Sequence, residues 1–248
     1  GEKRVGSIGL PFPYTEVKIM SSATGTELGV DEIGEICISN PGVSGGETYT
    51  EVAKNADLFY PGADGKPEYL RTGDLGRKDA DGYLWITGRA KDLIIRGGHN
   101  IDPAEIEEAL AGHDAVAFAG AIGQPDEHAG EVPCVYVELV DGADVTETEL
   151  LAYAKQHIHE RAAHPKYLEV LDELPKTAVG KTFKPDLRKR AITRVYNAAL
   201  GDLAAKVSSV TEDKRRGLVA QVSKTGSVTD EEIGNALNAY TVPWDSAD

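Results

Sequence analysis

Two cysteines, Cys37 and Cys134, are all that the 248 residues contain. Two lone thiols make neither a disulfide framework nor a zinc-ligand spacing, and they suit a reducing, cytoplasmic setting. Long apolar runs are missing too: none approaches the ~18 residues that a membrane-spanning helix needs. Positive charge is scarce, with 26 Lys and Arg against 41 Asp and Glu and a net charge of −15. That balance argues against broad binding to nucleic acid or anionic membranes, and it leaves room for a local basic site that takes a small phosphorylated ligand. The opening stretch "GEKRVGSIGLPFP" has neither an initiator Met nor an apolar leader, which reads as a piece of a longer protein.

What is present divides into two styles. Residues 1 to about 88 read as β: "EVKIM" and "EICIS" as short strands, "GVSGGETY" and "YPGADGKPEY" as loops, and "GYLWITGR" with "KDLIIRGG" as a strand pair around a short connection. Then strands and helices alternate. "DPAEIEEAL" opens a helix with Asp102 as cap, Pro103 in the first turn and Glu105 completing a capping box. "AVAFAGAI", "VPCVYVELV" and "KYLEVLDELP" read as strands. Thr146 and Glu149 form a capping box before "TETELLAYAKQHIHERAA", and a further helix covers roughly 185 to 200. The fold class is therefore α+β: a β-rich, barrel-like part over 1–89, a compact α/β unit over 90–200, and a β–α extension over 201–248. A hinge is expected near 89 to 92. In the extension, "RRGLVAQVS" reads as a strand, "TDEEIGNALNAY" as a capped helix and "DSAD" as a frayed end. His157, His159 and His164 do not share one helical face, and they read as surface histidines rather than metal ligands.

The stretch "PKTAVGKT" (175–182) misses a phosphate-binding P-loop by one residue, with Pro175 standing where the first glycine belongs. Proline has no N–H to give a phosphate, and helical composition resumes only beyond Pro185. Lys181 is then either a solvated lysine in a glycine turn or a lysine that reaches phosphate from another kind of structure.

"YLRTGDLG" (69–76), "GRAKDLIIRGGHNIDPAEIEEAL" (88–110) and "LPKTAVGKTFKPDLRK" (174–189), in that order, resemble the adenylate-forming superfamily of AMP-forming acyl-CoA synthetases, ligases and peptide-synthetase adenylation domains. The resemblance covers about residues 1 to 197. It implies an acid–thiol ligase that makes acyl-AMP from ATP and a carboxylic acid, expected to be a fatty acid, and passes the acyl group to CoA. It also implies that residues 90–200 are a mobile lid and that Lys181 is the catalytic cation bridging the α-phosphate and the acid. A three-donor ammonium suits that charge. By the same resemblance Asp74 holds the ribose hydroxyls of the nucleotide and Arg89 contacts ribose or phosphate. Lys91 is the hinge, and Gly97, Gly98, His99 and Lys166 border CoA. Asp74 has an alternative reading as a turn residue, Arg89 as a salt-bridge residue, and Gly97–Gly98 as a strand-end turn.

The family's Ser/Thr/Gly-rich phosphate loop and its adenine- and magnesium-contacting segment are not in this sequence. ATP and Mg2+ are thus expected to be held mainly by a part of the enzyme outside these residues, and the chain by itself is expected to be inactive. Lys184 stands where the family commonly has arginine, and Ala129 where it often has a basic residue. A ligase that loads a carrier protein, or a catalytically inactive binding fragment, remain alternatives to a CoA ligase.

Overall fold

The computed structural model describes residues 4–43, 48–50, 55, 57–62, 65 and 67–247. The chain divides into two compact units, Gly1–Asp92 and Leu93–Asp248. No helix among the described residues is long and apolar enough to cross a membrane.

The first unit is a sheet. Strand β1 (Glu16–Met20) pairs antiparallel with β2 (Gly34–Ser39), and β2 pairs with the long β4 (Pro67–Lys78). β4 also pairs with β3 (Phe59–Pro61) and with β5 (Leu84–Arg89). Among the described residues these strands close into no barrel. Val17, Ile19, Ile36 and Leu84 cluster on one face, and Met20, Cys37 and Tyr69 on the other. Two sequence readings change here. The ends of "YPGADGKPEY" are strand, with Tyr60 opposite Tyr69, and the middle of that stretch and of "GVSGGETY" lies outside the described residues. "GYLWITGR" and "KDLIIRGG" do not pair with each other. β5 joins β4, whereas β6 (Ile94–Arg96) pairs with β7 (His99–Ile101) in a different sheet.

In the second unit the sheet has the order β10-β9-β6-β7, with β8 also on β9. β8 (Val116–Asp126) and β9 (Gly130–Leu139) are antiparallel, and β10 (Tyr167–Leu171) runs parallel to β9. Successive strand residues point to opposite faces, and here both faces are covered. Ala121, Val135 and Val137 meet Ile106 and Leu110 of α1 (Pro103–Ala111) and Leu150 and Ala154 of α2 (Glu147–His157). Their neighbours Ile122, Cys134 and Tyr136 face Leu187 and Ala191 of α3 (Lys184–Leu200). This is why "VPCVYVEL" is apolar at nearly every position rather than at alternate ones.

The helix starts follow the capping signals. Thr146 with Glu149 and Thr229 with Glu232 make reciprocal capping boxes. At α1 the Asp102 side chain closes on the Ala104 N–H, the N2 amide, while the box pattern would use N3. α2 stops at His157, short of the predicted end. Ile158 is extended and 3% exposed, so its side chain serves the core only by leaving the helix, and one 3-10 turn follows at Arg161–Ala163.

Residues beyond 200 form a third layer. β11 (Ala205–Asp213), β12 (Gly217–Lys224) and β13 (Trp244–Ala247) make a three-stranded sheet with α4 (Asp230–Leu237). Its core takes Ile192, Tyr196 and Leu200 from α3. The expected frayed "DSAD" is instead paired strand up to Ala247, parallel to β12 with Trp244 opposite Ala220. The Trp244 indole, packed against that core and donating to Asn238 Oδ1 at 3.0 Å, anchors it.

Ile106 is fully buried between the helices and the sheet. Ile106→Ala is expected to cost about 2–5 kcal/mol, as for other large-to-small core changes, read as a lowered urea midpoint with unchanged slope.

Candidate functional site

Three places collect the predicted residues. The first is in the β unit. The β4–β5 register sets Asp74 opposite Arg89, and Arg89 Nε lies 2.8 Å from Asp74 Oδ1 in an ion pair. Asp74 is fixed from behind: its N–H donates to Thr72 Oγ1 at 3.1 Å, and the Thr72 hydroxyl donates to the Ile36 carbonyl at 2.7 Å. Beside it Glu35, only 3% exposed, accepts from Arg71 Nε at 3.0 Å and from the Gly73 N–H at 3.3 Å. An open cleft of about 690 Å³ is lined by Glu35, Arg71, Thr72, Gly73, Arg89 and Lys91, among others. Asp74 is about a third exposed and Arg89 two-thirds. The pair can therefore offer an acceptor and several donors to one ligand. Lys91 lies in the turn after β5, where Asp92 N–H donates to the Arg89 carbonyl at 3.0 Å.

The second place is the "PKTAVGKT" segment, which is a small hairpin. Lys176 bridges Thr182, Phe183 N–H donates to the Pro175 carbonyl at 2.7 Å, and Thr177 N–H donates to the Lys181 carbonyl at 2.7 Å. Gly180 N–H goes to the Thr177 carbonyl and Lys181 N–H to Thr177 Oγ1. A P-loop needs such amides free to wrap phosphate, and here they hold the turn. Gly180 adopts φ +79° at the tip, beside Val179, which is 80% exposed. Lys181 is exposed and has no ion pair among the described residues.

The third place is a cleft of about 830 Å³ whose lining includes Arg96, Gly97, His99, Lys155, Arg161 and Lys166. It unites three of the four residues expected at CoA. Gly98 belongs to the same turn but is not on the wall. Both glycines have positive φ, +55° and +88°, in the two-residue turn of the β6–β7 hairpin. The turn reading is thus correct. It is also compatible with a ligand, because a Cβ on either residue would meet nothing within 4 Å. Arg96 donates to the Ala162 carbonyl at 2.6 Å, and Gly97 N–H to the Ala129 carbonyl at 2.9 Å. Among the described residues no carboxylate lines the cleft, and Glu160 lies 3.8 Å from His99 Nδ1.

Sequence reasoning missed Arg96, Lys155 and Arg161. The available signal was Lys155, Arg161 and Lys166 recurring over one short stretch of an acidic chain. The histidines of that stretch serve locally. His164 Nε2 donates to the Ile158 carbonyl at 3.0 Å, and the His157 ring stacks on Tyr153. His164 is half-buried rather than on the surface. Among the described residues no group of three His, Cys, Asp or Glu side chains is placed to hold a metal ion.

The Arg71–Glu35 and Arg89–Asp74 ion pairs should behave differently. Glu35 is buried, and Arg71→Ala, which strands its charge, is expected to cost about 3 kcal/mol. Arg89→Ala breaks an exposed pair and should change stability by less than about 1 kcal/mol. Urea unfolding of both variants checks the contrast.

Residues 105–181 match the AMP-binding enzyme C-terminal domain. The marinolic acid–CoA ligase of Pseudoalteromonas sp. (strain SANK 73390) is 40% identical over 230 residues, covering 90% of this chain and 34% of that protein. Among solved structures, o-succinylbenzoate CoA synthetase from Bacillus subtilis, in complex with its acyl-adenylate intermediate, matches with TM-score 0.64 and 36% identity. That match covers 75% of this chain and 36% of the other. The amide bond synthetase McbA from Marinactinospora thermotolerans matches with TM-score 0.62 and 32% identity over 74% of this chain and 36% of its own. The chain spans about a third of the length of the relatives it matches. With its α+β fold, its exposed lysine hairpin and its basic cleft, the chain belongs to the adenylate-forming enzymes and carries their AMP-binding C-terminal domain.

Proposed function

We propose that this chain is the closing part of a longer, ATP-dependent acid–thiol ligase, and that it serves the two half-reactions from two different ends. In the first, a carboxylate oxygen attacks the α-phosphorus of ATP and pyrophosphate leaves. In the second, a CoA thiolate attacks the acyl carbon and AMP leaves. The observation that carries this reading is the separation of the hairpin from the basic cleft. The hairpin is tied to Glu138 at the end of β9, and the cleft begins at Ala129, just before β9 starts. At ~3.3 Å per strand residue, Ala129 lies roughly 30 Å from Glu138 along β9, and Lys166, whose N–H joins β9 at Pro133, roughly 16 Å. We read the two ends as acting on one active centre in turn, with Lys91 as the pivot.

Lys181 places its ammonium where the negative charge of the α-phosphate and the incoming carboxylate meet. Asp74 receives the ribose hydroxyls and Arg89 a neighbouring hydroxyl or phosphate oxygen. Arg96, Lys155, Arg161 and Lys166 receive the phosphates of CoA, while Gly97 and Gly98 let its thiol arm pass close to backbone. The acid is read as a fatty acid, and the enzyme as cytoplasmic.

In the full-length ligase, Lys181→Ala should lower pyrophosphate release about 10²–10³-fold. Thioester formation from supplied acyl-AMP should be nearly unchanged. Equal loss in both half-reactions contradicts the assignment. Arg161→Ala with Lys166→Ala should leave adenylation intact and raise the KM for CoA by about tenfold or more. An unchanged KM for CoA would move the acceptor, as a carrier protein or another nucleophile, to a different surface.

A further inference from the structure

The segment 176–184 holds three lysines, and the structure treats them unequally. Lys181 is exposed at the hairpin tip. Lys176 and Lys184 flank it, only 25% and 18% exposed, and each ends on a carboxylate. Lys176 Nζ lies 3.0 and 3.1 Å from the two oxygens of Glu138, on β9. Glu138 Oε2 also accepts the Leu174 N–H at 2.9 Å, just ahead of the hairpin. On the outgoing side Lys184 Nζ lies 2.9 Å from Glu107 Oε1, on α1, and that same oxygen accepts the Ala121 N–H of β8 at 2.8 Å. Between these anchors the hairpin rests on the sheet where a side chain is missing. A Cβ on Gly120 would come within 2.9 Å of Thr182 Cγ2. The Phe118 ring lies under Lys176, 4.6 Å from its ammonium.

We propose that Glu107 and Glu138 are positioning residues for Lys181: their carboxylates pin both stems of the hairpin and neutralise its two flanking ammonium groups, so that Lys181 alone presents charge at a fixed place. The inference rests on the reading of Lys181 as the adenylation cation. The physical reason is the demand for placement. A charge that is to meet a developing transition state must be held to well under 1 Å, and misplacement on that scale costs about 10²-fold. A hairpin tip beside a left-handed glycine has no such rigidity of its own. The two carboxylates come from elements already fixed by the core, a strand and a helix, and they hold the stems without touching the tip. They also remove competition, since an unpaired Lys176 or Lys184 would be free to draw the nucleotide's phosphates away from the productive pose.

The test uses the full-length ligase with Glu107→Gln, Glu138→Gln and the double variant, beside Lys181→Ala. Glutamine keeps the acceptor oxygen for the Leu174 and Ala121 amides and removes the charge. The double variant is expected to lose about tenfold or more in the kcat of pyrophosphate release. Its thioester formation from supplied acyl-AMP should stay within about twofold, a fold-change well below that of the adenylation step. The charge-swapped pair Glu138→Lys with Lys176→Glu should recover part of the rate lost by Glu138→Gln. If both half-reactions fall together with the melting temperature, the carboxylates only hold the fold and the proposal is overturned. If Lys181→Ala slows adenylation while the double variant does not, the clamp fails and the role of Lys181 stands. If Lys181→Ala leaves adenylation intact, the reading of Lys181 fails and the clamp with it.

Discussion

Burial of β9 on both faces is the constraint on which the second unit depends. Cys134 and Tyr136 point to one side, Val135 and Val137 to the other, and all four are fully buried. A strand with two apolar faces needs a layer on each. α1 and α2 supply one and α3 the other. α3 then has a second apolar face to cover, through Ile192, Tyr196 and Leu200, and the β11–β13 sheet with α4 covers it. The third layer is thus a consequence of the second. The same strand has the lysine hairpin tied near one end and the basic cleft starting beside the other, because only its ends emerge from the core.

This arrangement makes the hairpin and the cleft independent of one another chemically but not mechanically. The hairpin and the cleft share no side chain, yet both are tied to β9: the first through Glu138, the second through Ala129 and through the Lys166 N–H, which donates to the Pro133 carbonyl at 2.8 Å. Shifting β9 would move both. In the β unit the same logic holds on a smaller scale. Asp74 is set by a ladder of bonds through Thr72 to β2, while Arg89, on the neighbouring strand, is left mostly in solvent.

Legibility from sequence followed the range of the forces. The Thr146 and Thr229 capping boxes, the Pro103 start and the strands of "AVAFAGAI" and "VPCVYVELV" are local signals, and the structure has them. What was misread is decided at a distance. "KDLIIRGG" pairs with β7 and β9, and no periodicity within it names those partners. α2 ends early because Ile158 is wanted in a core that α1, the Arg161–Ala163 turn and the strands β6 to β10 also build. "DSAD" is a strand because Trp244 anchors it. Of the site, Gly97, His99 and Lys166 were visible through a family pattern, whereas Arg96, Lys155 and Arg161 reach the same cleft from three separate elements and carry no common motif.

The thiols bear on how this protein can be handled. Cys37 and Cys134 are both fully buried, and burial pushes each thiol up to about 12, far from the thiolate that alkylating reagents attack. To a maleimide at neutral pH the native fold is therefore blank. A single cysteine introduced at Val179, 80% exposed at the hairpin tip, would be the one reactive position. A dye placed there would sit two residues from Lys181 and report whether that tip is in water, without any native sulfur having to be removed first.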